Sequence, residues 1–554
     1  MLIPLTETFI PSITAIGGSL TMTALVSLLP LIFFFVALGA FSVPTHWCAA
    51  GALVIALLVS IVGFNMPLSM AGMSAVEGAA FGLIPIIYIV VMAVWLYNLT
   101  DRSGRAKDVQ AVFSAVGKGD MRIQGLLIGY AFCGLLEGLA GFGAPVAIAC
   151  TMMWALGLHP IRAAIAVMVG NALNVGFGAM AIPVTTVAKL GGDDAALVGA
   201  TMGRITPILL SAVPFMMLFI LDGWRGIKEG WLAALVAWVG MGTGVYLTSN
   251  FLSYELAAVV GSLLSFALLA LLLRFWTPVT PEEFRSPQPA EALSGSRVAL
   301  GLLPYWLVVI VFAVAKLWKF GVNIPAALRA TDIKFAWPGL SGVLGMDGQP
   351  NASVTFTLPW LSSPGTMLLL TGVVVAIVYS RRSSGGRFNL PFKQGMRTLL
   401  STVHNLRIAI LTICLVMALA YVMNFSGQTV AIGAWLAATG TAFAFLSPFL
   451  GGIGTAVTGS ATSAGALFGN LQATAAQTAD LPARLLLGVN EVGGGIGKIV
   501  SPQNLAIAAG AVKSEGSESE ILRKAAPYSL GLLVLLGLIT VLASNGILGF
   551  LIAS

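Results

Sequence analysis

Apolar runs of about 17 to 25 residues recur along almost the whole chain, and each is long enough to cross a ~30 Å hydrocarbon layer as a helix. The first three, near 23–41, 47–65 and 80–98, precede the polar stretch "DRSGRAKDVQAVFSAVGKGDMR" at 101–122. Six more lie near 124–140, 142–158, 162–182, 205–221, 230–248 and 254–273. After a polar interval come runs near 299–317, 365–380, 408–424, 428–448, 452–470, 484–510 and 527–550. The pattern predicts an all-α polytopic membrane protein with about twelve to sixteen membrane segments.

Composition agrees. Hydrophobic residues make up 58% and charged residues 9% of 554, with a mean hydropathy of +0.96; a soluble domain has about 25% charged residues. Residues 1–101 hold no Lys or Arg, so the positive region of a cleaved signal is missing, and 23–41 reads as the first span. Two basic segments orient the chain. The 101–122 stretch carries Arg102, Arg105, Lys107, Lys118 and Arg122; the 381–407 stretch carries Arg381, Arg382, Arg387, Lys393, Arg397 and Arg407. Both are expected in the cytoplasm.

Three crossings before the first basic segment then put the N-terminus outside. "KLGGDDAALVGATMGR" becomes an outer loop, "DGWRGIKEG" an inner one, and both termini fall outside. The expected division is a first membrane half at 1–273, a polar cytoplasmic linker at 274–298 and a second half at 299–554. Residues 318–363 read as an outer, partly folded segment, and 381–407 as amphipathic and interfacial.

Inside these apolar runs lies an internal repeat. "NALNVGFGAMAIP" (171–183) and "NEVGGGIGKIVSP" (490–502) share N-x4-G-x-G-x4-P at an offset of 319. Just upstream, "GFGAPV" (141–146) matches "GIGTAV" (452–457). The repeat regions are 137–183 and 451–510. In the predicted topology the copies run in opposite directions, so the fold is expected to contain two inverted structural repeats with broken helices or re-entrant hairpins. Interrupted segments at matching positions point to a transporter's binding site. Close helix packing is the competing use of such glycines, and chance matches are a further alternative in a chain with 64 of them.

A broken membrane helix leaves backbone donors free, and a half-helix N-terminus attracts anions. The candidate substrate-binding residues are therefore Gly141, Phe142, Gly143 and Ala144 in the first break, and Thr458, Ser460, Thr462 and Ser463 in the second. Asn171, Asn174, Asn490 and Gln503 join them from the repeated motifs. Hydroxyl side chains also bond back to their own helix. Charges in apolar runs cost several kcal/mol on typical scales, which makes each a functional suspect. Glu137, Glu491 and Lys498 are candidates for proton coupling. Lys498 lies seven residues, two turns, from Glu491, so the two share a face only if the glycines between them leave the helix regular; its role is to attract an anion or to pair with the acid. Glu77 and Glu255 lie nearer segment ends and are expected to face water or cap a helix. Cys48, Cys133, Cys150 and Cys414 are widely spaced in apolar runs and read as buried small side chains. The three histidines are isolated, and no metal is expected.

Several longer stretches carry a resemblance. "EGLAGFGAPVAIA" (137–149), "DGWRGIKE" (222–229), "LSPFLG" (446–451), "LQATAAQ" (471–477) and "GKIVSPQNLAIAAGAV" (497–512) resemble the L-lactate permease family. The resemblance runs along most of the chain. It implies proton-driven uptake of lactate or glycolate across a bacterial inner membrane, with no cofactor beyond the coupled proton. It also implies kinship with transporters in which one bundle moves against a scaffold. The expected partners are a small carboxylate and membrane lipid, without nucleic acid; a homo-oligomer is compatible with it. The chain departs from the family pattern TGSDTSSN, reading "TGSATSAG" with Ala461, Ala464 and Gly465, and has Glu491 where the family commonly has Thr. The coupling carboxylate has then moved to the facing helix, or the substrate or ion differs.

Enzyme chemistry finds no support: HExxH, GxSxG and Walker A patterns are absent. A transporter of another organic anion and an anion channel are the remaining alternatives.

Overall fold

The computed structural model describes residues 8–554, except 40, 42, 140, 142, 286–293, 318–321, 347, 350, 352–353, 385 and 515. Among the described residues, nine helices are long and apolar enough to cross a membrane, and Gly295–Gly301 with Leu303–Ala315 forms a further pair bent by 55°. The shorter membrane segments are half-helices and hairpin arms, whose backbone groups must be satisfied by surrounding protein. A two-stranded antiparallel sheet, Ile333–Ala336 against Thr355–Leu358, folds part of the long outer segment. Phe9 bridges to Val343 in the same region.

The helices form two groups. One combines Leu20–Arg102 elements with Leu303–Leu317, Pro364–Arg381 and Arg407–Ser426. Its helices approach closely at small residues: a Cβ on Gly78 would sit 2.4 Å from the Met417 carbonyl oxygen. The amphipathic helix Phe392–Asn405 lies against this group, where Trp95 Nε1 donates to the Gly395 carbonyl at 3.0 Å. The other group is built from residues 121–275 and 442–544 and carries both repeats.

Two polar segments are shorter than expected. The outer loop contracts to a few residues because Asp194 caps the helix Ala195–Leu210, accepting from Ala196 and Leu197 N–H groups. The inner "DGWRGIKEG" stretch reduces to a sharp break at Asp222 and Gly223 within Val213–Leu247. Its acids hold a buried cluster on the basic face: Arg122 donates to Asp120 at 2.9 Å and Asp222 at 2.8 Å, and also to Glu229. The Val279 carbonyl accepts from Arg122 at 2.8 Å, which ties the described start of the polar linker to this cluster.

The predicted segments 124–140 and 142–158 end in the two arms of one hairpin, and the predicted span 452–470 instead straddles the turn of a second. Cys133–Leu139 and Ala144–Ala155 meet at a tip where Gly141 and Gly143 have φ of 49° and 87°. The left-handed region is where glycine is free of the Cβ penalty. Twelve residues make about 18 Å of helix, too short to span. Ala442–Thr458 and Ala461–Thr478 form the second hairpin around Gly459, φ 72°. The first hairpin rises from the basic face, where Thr151 donates to the Ala511 carbonyl. The second enters from the opposite face, which also holds Asp193, Arg484 and the chain's C-terminal carbonyls. The hairpins are inverted.

Each repeated motif is a broken helix. Pro160–Asn171 passes through a 3-10 turn to Gly178–Gly191, with left-handed Ala179, Met180 and Ala181 at the break. Ala483–Gly497 passes through a 3-10 turn and breaks at Ser501 before Pro502–Ala511. The copies pack on each other reciprocally. A Cβ on Gly495 would sit 2.3 Å from the Ala172 carbonyl oxygen, and one on Gly176 would sit 3.2 Å from the Glu491 carbonyl oxygen. Both pairs relate by the same offset of 319, so the contact has local two-fold character.

Candidate functional site

Three helix N-termini gather where the hairpin tips meet the second broken helix. Ala144–Ala155 begins after Gly143, Ala461–Thr478 after Ser460, and Pro502–Ala511 after Ser501. Pro at the first or second position of two of them removes a donor that would have lacked a partner. Both tips touch the same helix: a Cβ on Gly143 would strike the Ile507 side chain, and one on Gly459 would strike Gln503. Between them lies a cavity of about 10 Å³, lined by Gly143, Gly459, Lys498, Ser501, Gln503, Asn504 and Ile507. It adjoins a cleft of about 810 Å³ that shares Gly459 and Gln503 and includes Thr458, Ser460 and Ser463. The other wall of the cleft is His46 and the first turns of Arg407–Ser426, so it opens toward the basic face, between the two helix groups.

Lys498 projects from the 3-10 turn into this junction. Its Nζ lies 3.0 Å from Glu137 Oε1, and Asn171 Nδ2 donates to Glu137 Oε2 at 2.8 Å. The pair is deep: Glu137 is 2% and Lys498 6% exposed. Of the two readings of Lys498, pairing with an acid holds, and its buried partner is Glu137 of the first half rather than Glu491. Gly178 makes room for the carboxylate, since a Cβ there would lie 3.0 Å from Glu137 Oε1.

Glu491 occupies a separate polar pocket. Asn490 Nδ2 donates to its Oε1 at 3.1 Å, and Gln472 Nε2 donates to Asn490 Oδ1 at 2.9 Å. Ser447 Oγ closes the chain on Gln472 at 2.7 Å. Glu491 Oε2 is buried without a partner among the described residues. Its room comes from Gly465, where a Cβ would stand 2.2 Å from Glu491 Oε1.

The remaining candidates divide. Thr458 Oγ1 donates to the Gly454 carbonyl and accepts from the Ser460 N–H; Ser460 accepts from the Ser463 N–H as the helix cap. These hydroxyls shape the second tip, with Ser460 and Ser463 on the cleft wall. Gln503 is exposed in the cleft and Ala144 at the first tip, while Thr462 is buried outside the cleft lining. Gly141 sits beside Glu137. Phe142 lies outside the described residues. Asn174 does not join the site: it lies against Gly134 and Ser262, and its Nδ2 is buried without a partner among the described residues. Glu77 does not face water as expected; it is 1% exposed within Leu68–Phe81. Glu255 is buried at a helix start and accepts from Ser253.

Sequence reasoning missed Ser501, Asn504 and Gln472. Ser501 accepts from the Asn504 N–H, and Asn504 Nδ2 donates to the Lys498 carbonyl at 3.2 Å. The Ser-Pro pair after an apolar run was the available signal of a helix start.

The sequence profile described as L-lactate permease matches residues 23–546. The chain belongs to the L-lactate permease family. Glycolate permease GlcA of Escherichia coli (strain K12) is 35% identical over 560 residues, covering 97% of this chain and 98% of that one. L-lactate permease of Bacillus subtilis (strain 168) is 34% identical over 557 residues, covering 96% and 97%. Among solved structures, MtrF of Neisseria gonorrhoeae superposes with a TM-score of 0.45 at 12% identity, covering 96% of this chain and 97% of that one. The protein is thus a multi-pass membrane permease of this family, and its buried Lys498–Glu137 pair joins two Gly-rich stretches of the chain, 137–143 and 493–498.

Proposed function

We propose that this permease is a secondary transporter that carries small 2-hydroxymonocarboxylates, such as lactate and glycolate, together with a proton across a bacterial inner membrane. The names of its relatives supply the substrate class. The observation that carries the reading is the convergence of three helix N-termini and the Lys498 ammonium on one junction. Partial positive charge and free N–H donors suit a carboxylate there. Gln503, Ser460 and Ser463 on the cleft wall offer polar groups to the substrate hydroxyl.

Charge balance favours a coupled cation. Lys498 is matched by Glu137, while Glu491 has amide contacts only, so a carboxylate substrate adds negative charge to a low-dielectric region. A proton on Glu491 offsets it. Exchange between faces then moves the group of helices bearing the hairpins past the other group, since the cleft lies on their boundary.

Uptake of labelled lactate into inside-energised vesicles, with a panel of competing carboxylates, tests the substrate class. Imposed proton and sodium gradients, applied separately, test the ion. A Glu491→Gln variant is expected to lose pH-gradient-driven accumulation while retaining exchange of substrate. Unchanged accumulation in that variant removes Glu491 from coupling, and sodium-driven accumulation in the parent replaces the proton.

A further inference from the structure

On the face opposite the large cleft, a second cavity of about 200 Å³ lies at the boundary between the two helix groups. Lys189 lines it from the last turn of Gly178–Gly191, Tyr421 and Asn424 from the outer end of Arg407–Ser426, and Asn470 from the second hairpin. Met346 and Asn351 of the outer segment complete the wall. Among the described residues, the lining holds no carboxylate.

The polar lining includes hydrogen-bond donors. Asn424 Oδ1 is taken twice, accepting from Thr429 Oγ1 at 2.8 Å and from Asn470 Nδ2 at 3.2 Å. Those bonds fix the amide orientation and leave Asn424 Nδ2 as its free end at the cavity. Lys189 is half-buried and makes no hydrogen bond or ion pair among the described residues. Among the described residues, Glu77, on the facing helix group, is the acid whose field reaches it, and Glu77 Oε2 is itself buried without a partner there. An ammonium held in a membrane protein without a bonded acceptor is costly, and such residues mark substrate paths.

We propose that this cavity is an outer vestibule where a small carboxylate is captured before transfer to the hairpin tips, with Lys189 as its cationic group and Asn424 as an amide donor. The cavity lies off the junction of Lys498 and Glu137, so this is a second, transient site on the same path. Lys189 belongs to the helix group carrying the repeats and Asn424 to the other. A carboxylate bridging them is therefore held only while those surfaces face each other. The field of Glu77 keeps the empty vestibule near neutrality, and the incoming anion supplies the acceptor that Glu77 does not.

The proposal rests on the carboxylate reading above, and the two fail differently. In proteoliposomes at equal pH on both sides, Lys189→Gln is expected to raise the external KM for lactate about tenfold at nearly unchanged influx kcat, and, because kcat/KM must stay equal in the two directions, to lower efflux kcat about tenfold at nearly unchanged internal half-saturation. Lys189→Arg restores most of the external KM. An unchanged external KM, or an equal shift on both faces, overturns the vestibule; absence of lactate uptake in the parent overturns the substrate reading instead. A second measurement needs no transport. Met346 is exposed, so a Met346→Cys variant can be labelled from outside with an impermeant maleimide. Lactate, glycolate and a panel of small carboxylates are added in turn. Slowed labelling that disappears on adding Lys189→Gln supports the site, and labelling indifferent to every carboxylate rejects it.

Discussion

Lys498 Nζ lies 3.0 Å from Glu137 Oε1, so an ammonium from the second repeat is bound to a carboxylate 361 residues earlier, in the first. The pair is buried and further held by Asn171. It bolts the inverted repeats together beside the hairpin tips.

Removing one member of a buried pair leaves an uncompensated charge and typically costs about 3–5 kcal/mol. Lys498→Met and Glu137→Gln are each expected to lower the thermal unfolding temperature in detergent. The double variant is expected to recover part of the loss while remaining inactive in lactate uptake. Normal uptake by the double variant would remove the pair from the transport site.

Gly465 and Glu491 form a fitted couple. A Cβ on Gly465 would lie 2.2 Å from Glu491 Oε1, so Gly465→Ala overpacks a buried site, with a typical cost of about 1–3 kcal/mol. Shortening the acid in a Gly465→Ala/Glu491→Asp variant is expected to restore stability, read as the unfolding temperature of each variant. Additive losses would show that the two positions are independent.

The reciprocal contact of the broken helices predicts unequal costs. A Cβ on Gly495 meets the Ala172 carbonyl oxygen at 2.3 Å, which is backbone and cannot step aside. A Cβ on Gly176 first meets the flexible Met202 side chain at 2.8 Å. Gly495→Ala is therefore expected to reduce folded yield and unfolding temperature more than Gly176→Ala. The opposite order would contradict the packing.

The first break offers a gain. Ala179 has φ 44° and ψ 54°, a left-handed conformation costing an L-residue roughly 1–2 kcal/mol relative to glycine. Ala179→Gly is expected to raise the unfolding temperature slightly without loss of uptake. Substituting Val there is expected to be strongly destabilising, and equal stability of the two variants would count against the left-handed turn.

Much of this site was legible in the chain. Glu137, Glu491 and Lys498 stood out because charge is rare in apolar runs, and the shared glycine and proline spacing located both breaks. Glu77 was misread for a physical reason. The Gly-, Ala- and Met-rich stretch around it is less apolar than the run that follows, yet it continues the helix because small residues let it approach Arg407–Ser426 closely. The first hairpin's arms were counted as spans, and the second's turn was taken inside one, since hydropathy measures the solvent of a segment and not how far it travels. Phe142 was a candidate on which the described residues say nothing.

The amino-acid sequence alone determined the lipid environment, the alternation of faces, the places where helices must break and the membership of the inverted pair. These depend on local composition and on backbone preferences of glycine and proline. Only the tertiary structure decided that Lys498 meets Glu137 instead of Glu491, that three helix N-termini share one junction, and that Lys189 and Asn424 line one outer cavity. Those pairings join residues hundreds of positions apart. Their choice follows from how close small side chains allow the helices to pack, which no single stretch of the chain contains.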